Sequence, residues 1–395
     1  MALNTASGQP QRVASVDAYR GFVMFLMMAE VLRLGRVSKE LPESAFWEFL
    51  AFHQSHVPWT GCSLHDLIQP SFSFLVGVAL PFSLMSRTSK GMSTPALWTH
   101  TLKRSLILVL LGIFLRSMHS TQTNFTFEDT LTQIGLGYPF LFALGFAKPK
   151  VQWGALGLIL IGYWLWFAVY PLPGPDFDWS QTGVAADWEH HLKGFAAHWN
   201  KNTNPAWAFD RWFLNLFPRE NPFLFNRGGY STLSFIPTLG TMVLGLFAGQ
   251  WLRDRKPSLL KDLVTAGLVM LGLAVVLSLL GINPIVKRIW TPAWVLFSGG
   301  WCFLILAGFF YLADVKGIRR PFYFLLVVGA NSIFAYVMAE VLPGFIDNSF
   351  QIHFGKSYAG WFGEPYPSLV SGALQLAVMW LILRWMYVRK IFIKI

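Results

Sequence analysis

Charge is scarce in this sequence. Asp, Glu, Lys and Arg together make up 13% of the 395 residues, about half of their share in a soluble domain. Hydrophobic residues make up 54%, and the mean hydropathy is +0.46. A soluble protein of this size needs far more charge on its surface. The composition therefore excludes an ordinary soluble domain and predicts that most of the chain faces lipid or other buried helices.

Cysteine is nearly absent as well. The two cysteines, Cys62 and Cys302, lie far apart in the chain, so the sequence contains neither a disulfide framework nor a cysteine-based metal motif. One group of other residues could in principle bind a metal, but its spacing matches no strong zinc template. It comprises Asp187, His190, His191 and His198. We expect no metal.

Long apolar stretches are abundant instead. A transmembrane helix needs roughly 20 mostly apolar residues, and about ten segments meet that length. The sequence thus predicts an all-α integral membrane protein. The predicted spans are 14–34, 65–86, 97–118, 128–147, 151–172, 231–252, 259–280, 291–313, 322–342 and 367–388.

A polar insert, 173–230, separates the fifth and sixth predicted spans. We interpret residues 1–395 as a single transmembrane domain that carries this insert as a folded loop outside the membrane. The insert is rich in tryptophan beside Asp and Asn, a combination that suits stacking on sugars. A belt of tryptophans at the membrane interface explains the same pattern equally well. These tryptophans are Trp179, Trp188, Trp199, Trp207 and Trp212.

The net charge of +11 could indicate nucleic acid in a soluble protein. Here the simpler cause is the excess of Lys and Arg in the cytoplasmic loops of membrane proteins. Most basic residues fall on one side if both termini are cytoplasmic, which puts loops 35–64 and 173–230 on the opposite, periplasmic or luminal, face. The polar stretch 1–12 is not expected to be a signal peptide, because no cleavage site follows the first apolar segment. We expect no nucleic acid partner.

Polar groups inside the predicted spans are costly and therefore candidates for function. Asp17 and Arg20 are three residues apart at the start of the first span, so they share a helix face. They could form an anchoring ion pair, or Arg20 could meet an anionic cofactor. Glu30 ends the same span, where it could simply pair with Arg33. Asn331 in a later span favours helix–helix contact or a place in a cavity.

The densest polar cluster lies at a membrane edge. Three histidines, one cysteine and one aspartate occur within 14 residues, in the stretch that starts at His53 and ends at Asp66. Histidine suits proton or acyl transfer, and a histidine is the natural partner for the Asp66 carboxylate. Alternatively, Asp66 only caps the second span. Cys62 is either a nucleophile or a small apolar filler.

The sequence resembles the heparan-α-glucosaminide N-acetyltransferase family, including its bacterial members. Four stretches carry the resemblance across most of the chain. The second and fourth are specific, whereas the first is shared with other membrane acyltransferases. The stretches are SVDAYRG at 15–21; HVPWTG at 56–61 with DLIQPSF at 66–72 and Gly77; Ile236-Pro237 with Gly245 and Gly249; and Pro284, Lys287 and IWTP at 289–292 with GANSIFAY at 329–336.

This resemblance implies a transmembrane acyltransferase fold and the transfer of an acetyl group from cytosolic acetyl-CoA to the amine of a glucosamine-type sugar across the membrane. It assigns the active histidine to His56. The chain departs from the lysosomal relative at Glu30, where that protein has an asparagine nearby. A bacterial inner membrane is the expected location. The expected partners are acetyl-CoA, an amino-sugar acceptor and the lipid bilayer, with a homodimer left open.

In the mechanism that we predict, His56 either removes a proton from the sugar amine or carries the acetyl group itself, and Asp66 orients it. Backbone N–H groups near Thr60 and Gly61 would stabilise the oxyanion. The candidate substrate and cavity residues are Glu30, Trp59, Thr60, Gly61, Asn331 and Ser332. The candidates for the CoA phosphates are Arg20, Arg87, Lys103 and Arg104.

Two other classes of function fit parts of the pattern. Ten spans around a polar centre would also suit an amino-sugar permease. A structural or assembly partner of envelope enzymes is a further alternative, which the cluster of His, Trp, Gly and Asp argues against.

Overall fold

A computed structural model describes residues 13–393. The stretch 1–12, including Arg12, and the C-terminal residues 394–395 lie outside the described residues. Fifteen α-helices and no β-strand occur in the described range. The helices are α1 Ala14–Met28, α2 Leu34–Glu40, α3 Ala45–His53, α4 Ile68–Thr88, α5 Thr94–Ser117, α6 Thr130–Gly145, α7 Pro149–Ala168, α8 Pro205–Phe213, α9 Phe235–Asp254, α10 Leu259–Leu279, α11 Pro292–Phe309, α12 Tyr323–Gly329, α13 Ser332–Val341, α14 Pro343–Phe354 and α15 Pro367–Val388.

Seven of the helical segments between residues 13 and 393 are long and apolar enough to cross a membrane. An eighth span is broken: Arg320–Gly329 and Ser332–Val341 pass the same test together but meet at a bend of 70°. The protein is therefore a multi-pass membrane protein of helices, as the sequence predicts. The seven are His65–Thr88, Thr94–Ser117, Pro149–Ala168, Thr232–Asp254, Leu259–Leu279, Pro292–Val315 and Pro367–Val388.

Two of the ten predicted spans are short. Helix α1 has 15 residues and continues as one 3₁₀ turn, Ala29–Leu32, and α6 has 16 residues. At 1.5 Å per residue, 16 residues extend about 24 Å, less than the roughly 30 Å of a bilayer core. Both helices pack inside the bundle. Irregular backbone can complete such a crossing, because surrounding protein satisfies its polar groups.

Helix α9 is the centre of the bundle. In its apolar window 83% of the residues are buried, whereas in α10 only 17% are. Leu279 on α10 and Leu158 on α7 are 82% and 75% exposed, as expected for side chains that face lipid. The order of burial thus separates an inner layer around α9 from an outer layer that includes α7 and α10.

Helices α4 and α9 touch along their backbones. A methyl group on Gly77 of α4 would lie 1.9 Å from the carbonyl oxygen of Met242. A methyl group on Gly245 of α9 would lie 1.9 Å from the carbonyl oxygen of Phe74. Such distances are far below van der Waals contact, so glycine is required at both positions. This contact holds α4 in a fixed position against the central helix.

The insert 173–230 is irregular apart from α8 and short 3₁₀ turns. Asparagine side chains form hydrogen bonds with its backbone N–H and carbonyl groups. Asn200 bonds both the N–H and the carbonyl of Leu192, and Asn204 caps α8 by accepting from the N–H of Trp207. Trp199 and Trp207 are buried, while Trp212 is 61% exposed. Two of the five tryptophans therefore pack in the interior of the insert.

We expect Gly77→Ala to lower the thermal stability of the purified protein, since the added methyl group collides with α9. Overpacking of this kind costs about 1–3 kcal/mol. The matched control is Gly162→Ala in α7, where the methyl group would meet nothing within 4 Å and should add about 0.5–1 kcal/mol of helix stability. Unfolding followed by tryptophan fluorescence measures both. Equal unfolding temperatures for the two variants would contradict this account of the α4–α9 contact.

Candidate active site

The loop between α3 and α4 is organised around one buried carboxylate. The side chain of Asp66 is 1% exposed. Its Oδ2 atom accepts hydrogen bonds from the N–H of Val57 at 3.2 Å and from the N–H and hydroxyl of Ser63, both at 3.0 Å. A buried carboxylate is stable only with such partners. Asp66 therefore folds residues 57–63 around itself, and its Oδ1 atom remains for other groups.

That second oxygen contacts His56. The His56 Nδ1 atom lies 2.7 Å from Asp66 Oδ1, a short distance that is typical of a charge-assisted bond. An ionised carboxylate can only accept, so Nδ1 carries the proton and donates it. The lone pair of the neutral ring is then on Nε2. The His56 side chain is 35% exposed. Asp66 therefore orients the ring through Nδ1, while part of the ring stays accessible.

Lys287 completes the group from the loop between α10 and α11. Its Nζ atom lies 3.3 Å from Asp66 Oδ1, and the lysine side chain is only 4% exposed. The same atom is 3.1 Å from Nδ1 and 3.4 Å from Nε2 of His56. Because it is nearly equidistant from the two ring nitrogens, it cannot lie along the lone pair of Nε2. That nitrogen is therefore not blocked by the lysine.

Asp66, His56 and Lys287 influence one another's pKa values. Burial lowers the pKa of Lys287 to about 8, although the Asp66 carboxylate opposes this. Burial also lowers the pKa of His56; the hydrogen bond to Asp66 opposes that shift, and the positive charge of Lys287 adds to it. His56 is consequently neutral at neutral pH, the form required of a base or a nucleophile.

Three loops come together behind this group. Gly61 donates its N–H to the carbonyl of Ile285 at 3.1 Å, and Thr60 forms an isolated antiparallel bridge with Val286. Arg288 donates to the carbonyl of Val57 at 3.1 Å and to that of Gly228, in the insert, at 2.9 Å. The insert and the α10–α11 loop thereby fix the backbone of the histidine loop.

A cavity of about 420 Å³ lies in front of His56, a volume within the range of small-molecule sites. Its wall is mostly charged or hydrogen-bonding. Contributions come from α1 and the 3₁₀ turn after it, from α4, α5, α6 and α13, and from the loops that precede α4, α6, α9 and α11. The lining residues are Met27, Glu30, His56, His65, Ile68, Gln69, Arg116, Glu128, Asp129, Thr130, Tyr230, Lys287, Tyr336 and Glu340.

The predicted cavity residues fall into two groups. Glu30 and His56 line the cavity. Trp59 is fully buried behind the loop, where its indole N–H donates to the carbonyl of Trp199 at 3.0 Å, so it anchors the loop to the insert. The N–H of Gly61 is bonded to Ile285, and this bond occupies the donor that we expected to stabilise an oxyanion.

Asn331 lies at the break between α12 and α13, with Ser332 as the first residue of α13. The Asn331 side chain donates to the carbonyl of Ile391 and accepts from the N–H of Ile393, both at 2.9 Å. It therefore ties the bent span to the segment after α15. Neither Asn331 nor Ser332 is among the residues that line the cavity around His56.

The predicted phosphate-binding residues lie in other parts of α1, α4 and α5 and do not line this cavity. Arg20 contacts Asp17 at 3.2 Å, in agreement with the predicted ion pair. Arg104 donates to the hydroxyl of Tyr138 at 3.2 Å. Arg87, in the last turn of α4, is partly exposed and Lys103 on α5 is exposed.

The sequence analysis assigned no role to several residues of the site. Lys287 is part of the motif from Pro284 to Pro292, yet its distance from His56 in the chain hid their contact. His65 was noted only as one of three histidines. Burial raises the pKa of Cys62 to about 12, which disfavours a nucleophilic thiolate. Across residues 13–393, no group of three or more His, Cys, Asp or Glu side chains is placed to hold a metal ion.

Comparison with known proteins identifies two relatives along almost the whole chain, and no family model matches. Heparan-alpha-glucosaminide N-acetyltransferase of Homo sapiens is 26% identical over an alignment of 436 positions, which covers 98% of this chain and 61% of that protein. The Mus musculus protein of the same name is 24% identical over an alignment of 438 positions, which covers 99% of this chain and 62% of that protein. The chain thus spans about three-fifths of the length of these curated relatives.

We expect Lys287→Met to raise the pKa of His56, because the substitution removes a positive charge that disfavours the imidazolium form. NMR titration of isotope-labelled histidine in the purified protein measures the shift, with the His56 signal identified by its loss in His56→Gln. Lys90→Met, an exposed lysine after α4, is the matched control and should leave the His56 signal unchanged. A His56 pKa that falls or stays constant in Lys287→Met would refute this electrostatic account.

Proposed function

We propose that this chain, which is similar to two heparan-alpha-glucosaminide N-acetyltransferases along almost its whole length, is a membrane acetyltransferase that acts on an amino sugar. In this proposal acetyl-CoA is the donor, and the acceptor is the amine of a glucosamine-type sugar. The observation that carries the proposal is the His56–Asp66 pair, 2.7 Å apart, at the wall of a polar cavity. The family supplies the class of reaction, and this pair supplies a group able to perform it.

His56 acts as a general base in the reaction we propose. Its Nε2 atom accepts a proton from the acceptor nitrogen as that nitrogen attacks the thioester carbonyl. Asp66 keeps the proton on Nδ1 and stabilises the imidazolium that forms. The C–N bond forms, the C–S bond breaks, and the imidazolium returns its proton to the thiolate of CoA. Acetylation of His56 itself is the alternative, and it would leave a labelled enzyme after incubation with acetyl-CoA alone.

Donor and acceptor approach from opposite ends of α4 in this proposal. His56 precedes the first residue of the helix, and Arg87 lies in its last turn. The 21 residues of α4 extend about 32 Å, close to the roughly 30 Å of a bilayer core. The CoA phosphates would bind the basic residues near the cytoplasmic ends of the spans. The pantetheine arm would then reach between helices toward His56.

The proposed location is a bacterial inner membrane with both termini in the cytoplasm. The excess of Lys and Arg on that side supports this orientation. The histidine loop and the insert 173–230, which we propose to be a folded extramembrane loop, then face the periplasm. Their contacts through Trp59 and Arg288 fit an acceptor that arrives from the same face.

We expect His56→Ala to abolish acetyl transfer to glucosamine, and Asp66→Asn to reduce it less severely, since asparagine keeps the shape of the carboxylate but loses its charge. Loss of a general base lowers rates by about 10²–10⁴-fold. Product formation is measured by mass spectrometry, with folding checked by size-exclusion chromatography and thermal unfolding. Near-normal turnover of a folded His56→Ala protein would show that another residue carries the reaction.

The topology makes a separate prediction for sealed proteoliposomes in which the protein has one orientation. Acetylated product should form when acetyl-CoA is on the face of the termini and the amino sugar is on the other face, since the two substrates reach the site from opposite sides. Placing both substrates on one face, with neither able to cross, should give no product. Uptake of unchanged sugar without CoA, and no acetylated product from any acceptor, would instead indicate a permease.

A further inference from the structure

A second histidine–carboxylate pair borders the same cavity. The Nε2 atom of His65 lies 3.3 Å from Oε1 of Glu30, and the His65 and His56 rings are 4.5 Å apart between centroids. His65 is in the 3₁₀ turn His65–Leu67, directly before Asp66. One turn thus presents the carboxylate that orients His56 and a further imidazole on the cavity wall.

The two pairs differ in their access to water. The carboxylate of the first pair, Asp66, is 1% exposed, whereas Glu30 of the second pair is 53% exposed and His65 is 11% exposed. The first pair is therefore closed off from solvent at its carboxylate. In the second pair, the mostly buried imidazole of His65 connects the cavity to the Glu30 carboxylate, which is in contact with solvent.

The proposed reaction needs two proton acceptors if its substrate is a protonated amine. An aliphatic amine is largely an ammonium ion at neutral pH, and an ammonium nitrogen has no lone pair with which to attack a thioester. The second proton of the reaction passes through His56 to the CoA thiolate, so His56 begins and ends the cycle neutral. The first proton must therefore leave by another route.

We propose that His65 removes this first proton and that Glu30 passes it to solvent, an inference that rests on the proposed acetyltransferase function. The ring takes the proton from the ammonium on Nδ1 and releases the Nε2 proton to Glu30. The free amine then attacks, the C–N bond forms and the C–S bond breaks. One ammonium ion and one thioester yield one amide, one thiol and one proton that exits through Glu30.

The charges around this pair favour a cationic acceptor. Four cavity carboxylates come from three elements: Glu30 from the 3₁₀ turn after α1, Glu128 and Asp129 from the loop before α6, and Glu340 from α13. Among the described residues, two Lys or Arg side chains, Arg116 of α5 and Lys287 of the α10–α11 loop, line the same space, and Lys287 is paired with Asp66. The two tyrosines of the wall, Tyr230 and Tyr336, add hydroxyl groups but no negative charge at neutral pH.

This surplus of carboxylates defines the class of acceptor. It favours an ammonium ion over sulfates and uronates, with the exposed Glu30 as the main charge because burial raises the pKa of Glu128 and of Asp129. The cavity volume of about 420 Å³ suits a small saccharide. The acceptor is therefore a small amino sugar without acidic groups, and its ammonium group binds beside His65 and Glu30.

The test compares two acceptors on the purified full-length protein. One is glucosamine, and the other is an aminooxy analogue, whose –O–NH₂ nitrogen is unprotonated at neutral pH and needs no first deprotonation. In Glu30→Gln and His65→Gln, transfer to glucosamine at pH 7 should fall by about a hundredfold, as for loss of a general base. Transfer to the aminooxy analogue should stay nearly unchanged. Raising the pH should restore transfer to glucosamine, because solution then supplies the free amine.

The matched control is His190→Gln. This histidine pairs with Glu189 at 3.4 Å in the insert and should leave both acceptors and the pH profile as in the unmodified protein. Equal losses with both acceptors at every pH would overturn the proposal and make the pair a positioning element for His56. Full activity of both variants with glucosamine at pH 7 would overturn it as well. If the unmodified protein acetylates neither acceptor, the proposed function itself fails.

Discussion

The buried carboxylate of Asp66 is the interaction on which the rest of the site depends. It joins its own turn before α4 and the adjacent loop that carries His56 to the α10–α11 loop that carries Lys287, which is remote in sequence. Removing such a charge from water is costly unless every lone pair finds a donor. The need to satisfy this one group therefore selects the loop conformation, the tautomer of His56 and the position of Lys287 together.

The sequence predicts the architecture well because membrane burial leaves a strong one-dimensional signal. Apolar stretches of sufficient length correspond, within residues 13–393, to seven helices able to span a membrane and one bent span. The signal is weaker for α1 and α6, since the prediction assumes that each helix crosses the bilayer alone. The break at Asn331 was not predicted either, and there the Asn331 side chain bonds to the segment after α15, a long-range contact that short sequence patterns do not carry. The resemblance that short motifs indicated agrees with the comparison, in which two proteins of the same name are 26% and 24% identical along 98–99% of this chain.

The site was predictable only where its members are close in sequence. His56 and Asp66 are ten residues apart, so their pairing could be anticipated, and their catalytic roles stay a prediction. Lys287 is 231 residues from His56, and a single sequence carries no signal for that contact. Trp59 illustrates the opposite case: its place beside a candidate base made it a candidate cavity residue, but the structure buries it against the insert. Proximity to a reactive residue in sequence does not show whether a side chain lines the cavity or is buried behind it.

The glycine contacts between α4 and α9 have a mechanical consequence. Because Gly77 and Gly245 leave no space between the two backbones, these helices can neither slide nor rotate against each other without a collision. Asp66 and His56 are attached to the start of α4, so the reacting centre is stationary relative to the core of the bundle. The transfer that we propose would therefore need no movement of α4 against α9, and donor and acceptor would meet at a point that is fixed relative to both helices.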